Sequence, residues 1–366
     1  MIKLAKPHIP VAAIEAVVEV LKSGDLVQGK YVKEFEQKLM EYLDIENAVV
    51  VSSGTAALHL SLIALGIGQG DEVVVPAFTF PATANVVELV GAKPVFVDIN
   101  LDDYCIDTKK IEEVITERTK AIMPVHEFGQ AAKMDDIAQI AHKYNLRVVE
   151  DAACALGTEF NHQKVGTFGD FGCFSFHPRK AITTGEGGVI VTDNCNLADE
   201  VRALRNHGLK QVENGIDFYY TGFNYRMTDF QAVLGIYQLK IIDKIIDERI
   251  NQADIYNNLL DKIGWINLPS NFVNRKMVYQ TYHVLLDDCV DRHKLIDYLR
   301  KEKIQANLGA QALNLLYYYK KKYRFKIGDF PIATRAYNNG IVLPIGYHIK
   351  KKDIESISNF IELFLV

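Results

Sequence analysis

Val49-Val50-Val51-Ser52-Ser53-Gly54-Thr55-Ala56-Ala57 decides the architecture: a continuous valine run passes through small residues into a stretch of helical periodicity that reaches Leu65. The alternation then repeats. Glu72-Val73-Val74-Val75 precedes a helix over Ala82 to Val90, and Pro94-Val95-Phe96-Val97 follows. Ala121 to Val125, a helix from Met134 to Tyr144, and Arg147 to Glu150 carry the pattern on. Strands that are apolar throughout, rather than alternating, are covered on both faces. The spacing therefore predicts an α/β fold with a mostly parallel sheet flanked by helices. Asp151 falls at the carboxyl end of one of these strands, the edge at which open α/β sheets bind ligands. Gly188 to Thr192 reads as a further strand, and a helical region from Met227 through about Leu260 leads out of the large domain. Weaker signals follow: a strand over Thr281 to Leu286, a helix over Arg292 to Glu302 and a closing amphipathic helix over Lys351 to Leu363. The expected division is a large domain, residues 1–245, and a smaller C-terminal α+β domain, residues 246–366.

The composition limits what such a chain does. Its 366 residues exceed what one core organises, and 49% hydrophobic with 24% charged residues is ordinary for a folded protein. A net charge of -5 with no long basic block gives no footprint for nucleic acid. Lys320-Lys321-Lys322 beside Tyr317-Tyr318-Tyr319 reads as a solvated helix end rather than a binding patch. The five cysteines are scattered without a C-x-x-C pair, which indicates neither a metal site nor a disulfide framework and fits a reducing cytoplasm. Pro7, Pro10, Glu15 and Glu19 interrupt any signal-peptide core, and no later stretch is long enough to span a bilayer, so a cytoplasmic location without membrane attachment is expected.

The chemistry sits in Ser175-Phe176-His177-Pro178-Arg179-Lys180-Ala181-Ile182-Thr183-Thr184-Gly185-Glu186-Gly187-Gly188. Lys180 lies between a strand and a glycine-rich turn, among Phe174, Phe176, Pro178 and Ala181, a poor setting for a solvated side chain. Partial burial is expected to lower its pKa and favour the free amine. Upstream stands Glu150-Asp151-Ala152-Ala153. A lysine so placed can form a Schiff base with an aldehyde cofactor, and an aspartate can keep a pyridine nitrogen protonated; together they suggest pyridoxal phosphate. Asp151 as a simple helix cap is the competing reading. Ser52-Ser53-Gly54-Thr55 is, taken alone, either a capped turn or a phosphate cradle at a helix N-terminus; with Lys180 and Asp151 in the same chain the cradle is the better reading. Gly66-Ile67-Gly68-Gln69-Gly70 follows a helix and precedes a strand, the wrong order for a dinucleotide loop, and no Walker-type G-K-[ST] occurs.

Taken together, these residues resemble the DegT/DnrJ/EryC1/StrS sugar aminotransferases, of the aspartate-aminotransferase fold (fold type I). The likeness spans nearly the whole chain: Gly24-Asp25-Leu26-Val27-Gln28-Gly29, Ser53-Gly54-Thr55-Ala56-Ala57-Leu58, Pro76-Ala77-Phe78-Thr79-Phe80, Pro124-Val125-His126, the Asp151 and Lys180 segments, and Asn224-Tyr225-Arg226-Met227. The resemblance implies a seven-stranded sheet, with Lys180 as the Schiff-base lysine and Asp151 on the pyridine nitrogen. It implies that Gly54, Thr55, Ala56 and Ser175 hold the cofactor phosphate and that Phe80 stacks on the ring. Asn224 is implied to reach the phosphate from the neighbouring subunit of a homodimer. His177, beside Lys180, either assists proton or phosphate chemistry or is a packed neutral histidine.

Where the family usually has a glutamine near the cofactor's 3-oxygen, this chain has Cys154, a weak hydrogen-bonder. Gln311-Ala312-Leu313-Asn314 replaces a tyrosine- and proline-containing segment near the sugar. The resemblance implies transfer of an amino group from L-glutamate to a nucleotide-linked keto sugar. Thr183 to Gly188 looks more like relatives that aminate C4 of 4-keto-6-deoxy sugars for surface polysaccharide, lipopolysaccharide or antibiotic pathways. A C3 or cyclitol aminotransferase, and a non-catalytic cofactor-binding regulator, are the alternatives.

Overall fold

The computed structural model describes residues 1–213 and 215–364. Seven strands form the central sheet: β1 (Asn47–Val51), β2 (Glu72–Pro76), β3 (Lys93–Val97), β4 (Thr119–Ile122), β5 (Arg147–Asp151), β6 (Phe171–Ser175) and β7 (Gly188–Thr192). Their spatial order is β1-β7-β6-β5-β4-β2-β3. All neighbouring pairs are parallel except those made by β7, which runs antiparallel to both β1 and β6.

The valine runs explain the layering. Side chains of a strand point alternately to opposite faces. Val50, Val74, Ile122 and Val148 enter one core, while Val49, Val51, Val73, Val75, Ala121 and Val149 enter the other. Both faces are thus buried, as a parallel sheet between helices requires. Helix α1 (Val11–Ser23) and α2 (Lys30–Leu43) precede the sheet; α2 sends Val32, Phe35, Leu39 and Leu43 into the first core at helical spacing. Helices α3 (Gly54–Ala64), α4 (Ala82–Leu89) and α5 (Met134–Tyr144) connect strands of the sheet, and α6 (Cys195–Arg205) follows its last strand.

The helical region expected from Met227 to Leu260 is two helices, α7 (Asp229–Leu239) and α8 (Ile242–Leu260). The chain turns at Ile241 (φ -122°), whose amide closes onto the Gln238 carbonyl at 3.1 Å. Ile242, Ile245 and Ile246 then carry α8 back into the core. Beyond α8, β8 (Ile266–Asn267), β9 (Tyr282–Leu286) and β10 (Gly340–Leu343) form an antiparallel sheet, packed with α9 (Arg292–Lys301) and α12 (Lys351–Leu363) around a third core. Helices α10 (Tyr317–Tyr323) and α11 (Pro331–Asn339) lie late in the chain yet insert Tyr319, Ala333 and Ala336 into the second core, against the large sheet. The lysine run of α10 ends a helix as expected, and Lys322 pairs with Glu88.

Among the described residues no helix is long and apolar enough to cross a membrane, no cluster of His, Cys, Asp and Glu is arranged to hold a metal ion, and all five cysteines are free.

Candidate active site

The carboxyl ends of β5 and β6 and the N-terminus of α3 open onto one cleft of about 270 Å³, lined among others by Gly54, Thr55, Asp151, Ser175 and Lys180. Ser53 caps α3 by accepting from the Ala56 amide at 3.0 Å, while the Gly54 and Thr55 amides make no bond among the described residues. Two free donors at the positive end of an eleven-residue helix are a ready anion site. Gly54 is required there, because a Cβ would lie 2.8 Å from Ser175 Cβ. The two readings of Ser52–Thr55 are thus compatible: Ser53 caps, and the amides of the two residues after it are open. The Ala56 amide, by contrast, is occupied by the cap.

Asp151 ends β5, buried, with Oδ2 accepting from Thr83 Oγ1 at 2.8 Å and Oδ1 from the Ala153 amide at 3.2 Å. Burial pushes its carboxyl up, and these bonds pull it back only in part. Its neighbour Glu150 faces the other way. There it receives His126 Nε2 at 2.9 Å and the Gly166, Phe168 and Gly169 amides at 2.7, 2.7 and 2.8 Å, anchoring the loop before β6.

Lys180 sits in a turn after β6, closed by its own amide to the His177 carbonyl (2.8 Å) and by Thr184 N to the Phe176 carbonyl (3.0 Å). Gln238 of α7 clamps the same turn, accepting from the Thr183 amide at 3.0 Å and donating to its carbonyl at 2.6 Å. Gly187 is forced by close approach, since a Cβ would lie 2.2 Å from Thr184 Oγ1. The Lys180 Nζ donates to Cys154 Sγ at 2.9 Å. The expected lowering of the Lys180 pKa is not what the surroundings produce. Burial does pull it down, but the Cys154 sulfur and Asp151 push the other way and the net shift is upward.

Among the described residues neither Lys180 nor Asp151 has an opposite charge within 4 Å. A buried carboxyl and a half-buried amine lining one cleft without an ion-pair partner, beside two free helix amides, are what a group carrying an aldehyde, a basic ring nitrogen and a phosphate would complete. The residues fit pyridoxal phosphate.

Of the other expected residues, Phe80 lines the cleft and is 65% exposed, free to cover a ring. His177 also lines it; Nδ1 accepts from the Arg179 amide at 3.2 Å, so the neutral ring carries its proton on Nε2, and burial lowers its pKa. Asn224 is exposed and outside its own cleft, in a backbone bridge with Asn206. Sequence reasoning missed Thr83, Glu127 and Arg249, which reach the cleft region from separate elements. Arg249 of α8 is 7% exposed and lines the cleft, yet it donates only to the Tyr279 and Gln280 carbonyls (3.0 and 2.9 Å). Its Nε has no partner and burial lowers its pKa to about 10.

A mostly parallel sheet with a half-buried lysine, a strand-end aspartate and a helix-terminal anion site at one edge defines a pyridoxal-phosphate-dependent transferase of fold type I. The DegT/DnrJ/EryC1/StrS aminotransferase family matches residues 7–362, and the chain belongs to that family. It is 36% identical to the GDP-perosamine synthase of Caulobacter vibrioides, over 92% of this chain and 91% of that one. It is also 36% identical to the UDP-4-amino-4-deoxy-L-arabinose--oxoglutarate aminotransferase of Shewanella sediminis, over 97% and 95%. Its fold is similar to that of the putative sugar aminotransferase Spr1654 from Streptococcus pneumoniae in its PMP form, with a TM-score of 0.94, 30% identity and coverage of 100% and 99%. The protein is a pyridoxal-phosphate-dependent aminotransferase.

Proposed function

We propose that the protein moves an amino group from L-glutamate to C4 of a nucleotide-linked 4-keto-6-deoxy sugar. The observation that carries the reading is the half-buried Lys180 amine lining, with buried Asp151, a cleft that also holds the two free amides of α3. The relative whose name specifies a 4-amino sugar and oxoglutarate, the keto acid of glutamate, supports position and donor. Arg249, a buried cation without a carboxylate partner among the described residues, supports an anionic substrate such as a dicarboxylic amino acid or a nucleoside diphosphate.

When bound, pyridoxal phosphate supplies an electrophilic carbon and an electron-accepting ring. Gly54 and Thr55, through their amides, and the Ser175 hydroxyl hold the phosphate. Asp151, oriented by Thr83, keeps a proton on the ring nitrogen, and Phe80 covers a face of the ring. Lys180 Nζ would hold the cofactor at rest and, once freed by the donor's amine, would take the proton from the donor's α-carbon as base and return it as acid, the donor leaving as its keto acid with the amino group retained. With the keto sugar as acceptor Lys180 would move the proton in the opposite direction. Arg249 anchors a carboxylate or phosphate at the far side of the cleft. With the domain boundary placed at 245/246, residues from both parts line that cleft.

A homodimer completes the site in this reading, with Asn224 reaching the partner's phosphate. Helix α1 supports association: Val11, Ile14, Val18 and Leu21 form an exposed apolar stripe at helical spacing, continued by Leu26 and Val27. A second copy of the chain is the occupant proposed for it. Five free cysteines fit a reducing cytoplasm. The test is product analysis: holoenzyme with L-glutamate and a panel of 3-keto and 4-keto sugar nucleotides should yield an amine at C4 by NMR. An amine at C3, or amination of cyclitol ketones alone, would overturn the assignment of position.

A further inference from the structure

Glu127 is a buried carboxyl that the mechanism above does not use. It is 5% exposed and lines the same cleft as Asp151, Cys154 and Lys180. Glu72 and Glu150 are paired, with Arg118 at 3.0 Å and His126 at 2.9 Å, but Glu127 has no ion pair among the described residues. Its backbone is fixed from both sides. His126 before it is held by Glu150 and by the Ala132 amide (3.1 Å to Nδ1). Phe128 after it takes a left-handed conformation (φ 56°) that a phenylalanine adopts only under constraint, stacked on His283 with ring centroids 4.5 Å apart. Gly129 (φ 88°) follows so closely against the Cys154 carbonyl that a Cβ there would lie 3.1 Å from it. The segment is built to hold position 127 against the Cys154 edge of the site.

The chemistry of the ring says which edge that is. On pyridoxal phosphate the ring carbon that carries the lysine-binding aldehyde has two ring neighbours, one bearing the phosphate arm and the other the 3-oxygen. The phosphate side is α3 with Ser175, and Asp151 marks the ring nitrogen. Cys154, in contact with Lys180 Nζ, stands where the family resemblance implies the 3-oxygen side. A thiol is a weak donor there. We propose that Glu127, as a neutral carboxyl, donates to the cofactor's 3-oxygen in place of the donor that Cys154 cannot supply. The proposal rests on Lys180 being the cofactor lysine.

The surroundings keep the carboxyl neutral. Burial pushes Glu127 up to about 8, against the pull of Lys180 and with the push of Asp151. The other titratable groups facing it are the Cys154 and Cys105 thiols, both raised by burial, with Asp102, Tyr104, His283 and the Asp103–Arg275 pair (2.9 Å) around the small cavity behind.

The experiment is a pH titration of the visible band of the holoenzyme in wild type, Glu127→Gln and Glu127→Ala. Without the donor the 3-oxygen becomes more basic and holds the proton it shares with the lysine nitrogen more tightly. The midpoint is expected to rise by about one pH unit in Glu127→Ala, a shift equal to one ordinary hydrogen bond, and to stay near wild type in Glu127→Gln, whose amide also donates. No change in Glu127→Ala, or the downward move that an ionised Glu127 requires, overturns the proposal. If neither variant folds, the infrared spectrum of the wild-type holoenzyme at pH 7 decides: a protonated-carboxyl band that disappears above pH 9 supports it, and its absence overturns it. A wild-type protein with no visible band at all refutes Lys180 instead.

Discussion

Thr83→Val isolates what orients Asp151. The Thr83 hydroxyl is fully buried and donates to Asp151 Oδ2 at 2.8 Å, with only the Thr79 hydroxyl nearby at 3.2 Å. Valine keeps the shape and removes the donor. A hydrogen bond to a charged acceptor contributes about 1.5–3 kcal/mol, and a factor of ten in rate corresponds to about 1.4 kcal/mol. Asp151 is already pushed toward its neutral form by burial, so losing this bond moves it further that way and weakens its hold on the ring-nitrogen proton. The first-order rate of the glutamate half-reaction, followed by stopped-flow absorbance, is expected to fall about 10- to 100-fold. Cofactor content should be unchanged, and Thr83→Ser should recover most of the loss. A Thr83→Val enzyme within threefold of wild type would show that Asp151 does not depend on this contact.

Three further outcomes follow from the same geometry. Gly54→Ala places a Cβ 2.8 Å from Ser175 Cβ; it should destabilise the protein by about 1–3 kcal/mol in urea titrations and weaken cofactor binding measured by equilibrium dialysis, whereas unchanged affinity would remove Gly54 from the phosphate cradle. Burial pushes the Glu127 carboxyl up to about 8 in the folded protein, well above its ordinary value, so the folded state is expected to bind the extra proton between about pH 4.5 and 8 and to lose stability as pH rises through that window. Glu127→Gln should flatten the fall, which has a ceiling of about 5 kcal/mol, and equal slopes in the two proteins would contradict a buried neutral carboxyl. Mixing inactive Lys180→Ala and Asn224→Ala subunits at equal ratio should restore roughly a quarter of wild-type activity if each site draws Asn224 from its partner, and none if it does not.

The part of the fold that was legible rests on one-dimensional patterns. Val49 to Val51 and Val73 to Val75 are apolar without interruption because successive side chains fill two different cores, and that signal survives without any neighbour being known. Asp151 and Lys180 were readable for the same reason: one ends a strand and the other sits between a strand and a glycine-rich turn. Thr83 was not, because an alanine-rich helix start gives no hint that a hydroxyl will meet a carboxylate 68 residues away. Glu127 left a trace, a lone carboxylate in Pro124-Val125-His126-Glu127-Phe128-Gly129 at the end of an apolar run. The direction of the Lys180 shift was misjudged since the residues that reverse it, Cys154 and Asp151, come together with it only in three dimensions. The break between α7 and α8 carries neither glycine nor proline, and it is set by where the isoleucines of α8 must pack.

The most direct test is the visible absorbance of the purified protein before and after L-glutamate, run beside Lys180→Ala. A lysine-bound cofactor band that gives way to the pyridoxamine band with glutamate, and is missing from the variant, is the expected result. A band that persists in Lys180→Ala would contradict the assignment of Lys180, and a wild-type band that glutamate leaves unmoved would contradict glutamate as the donor.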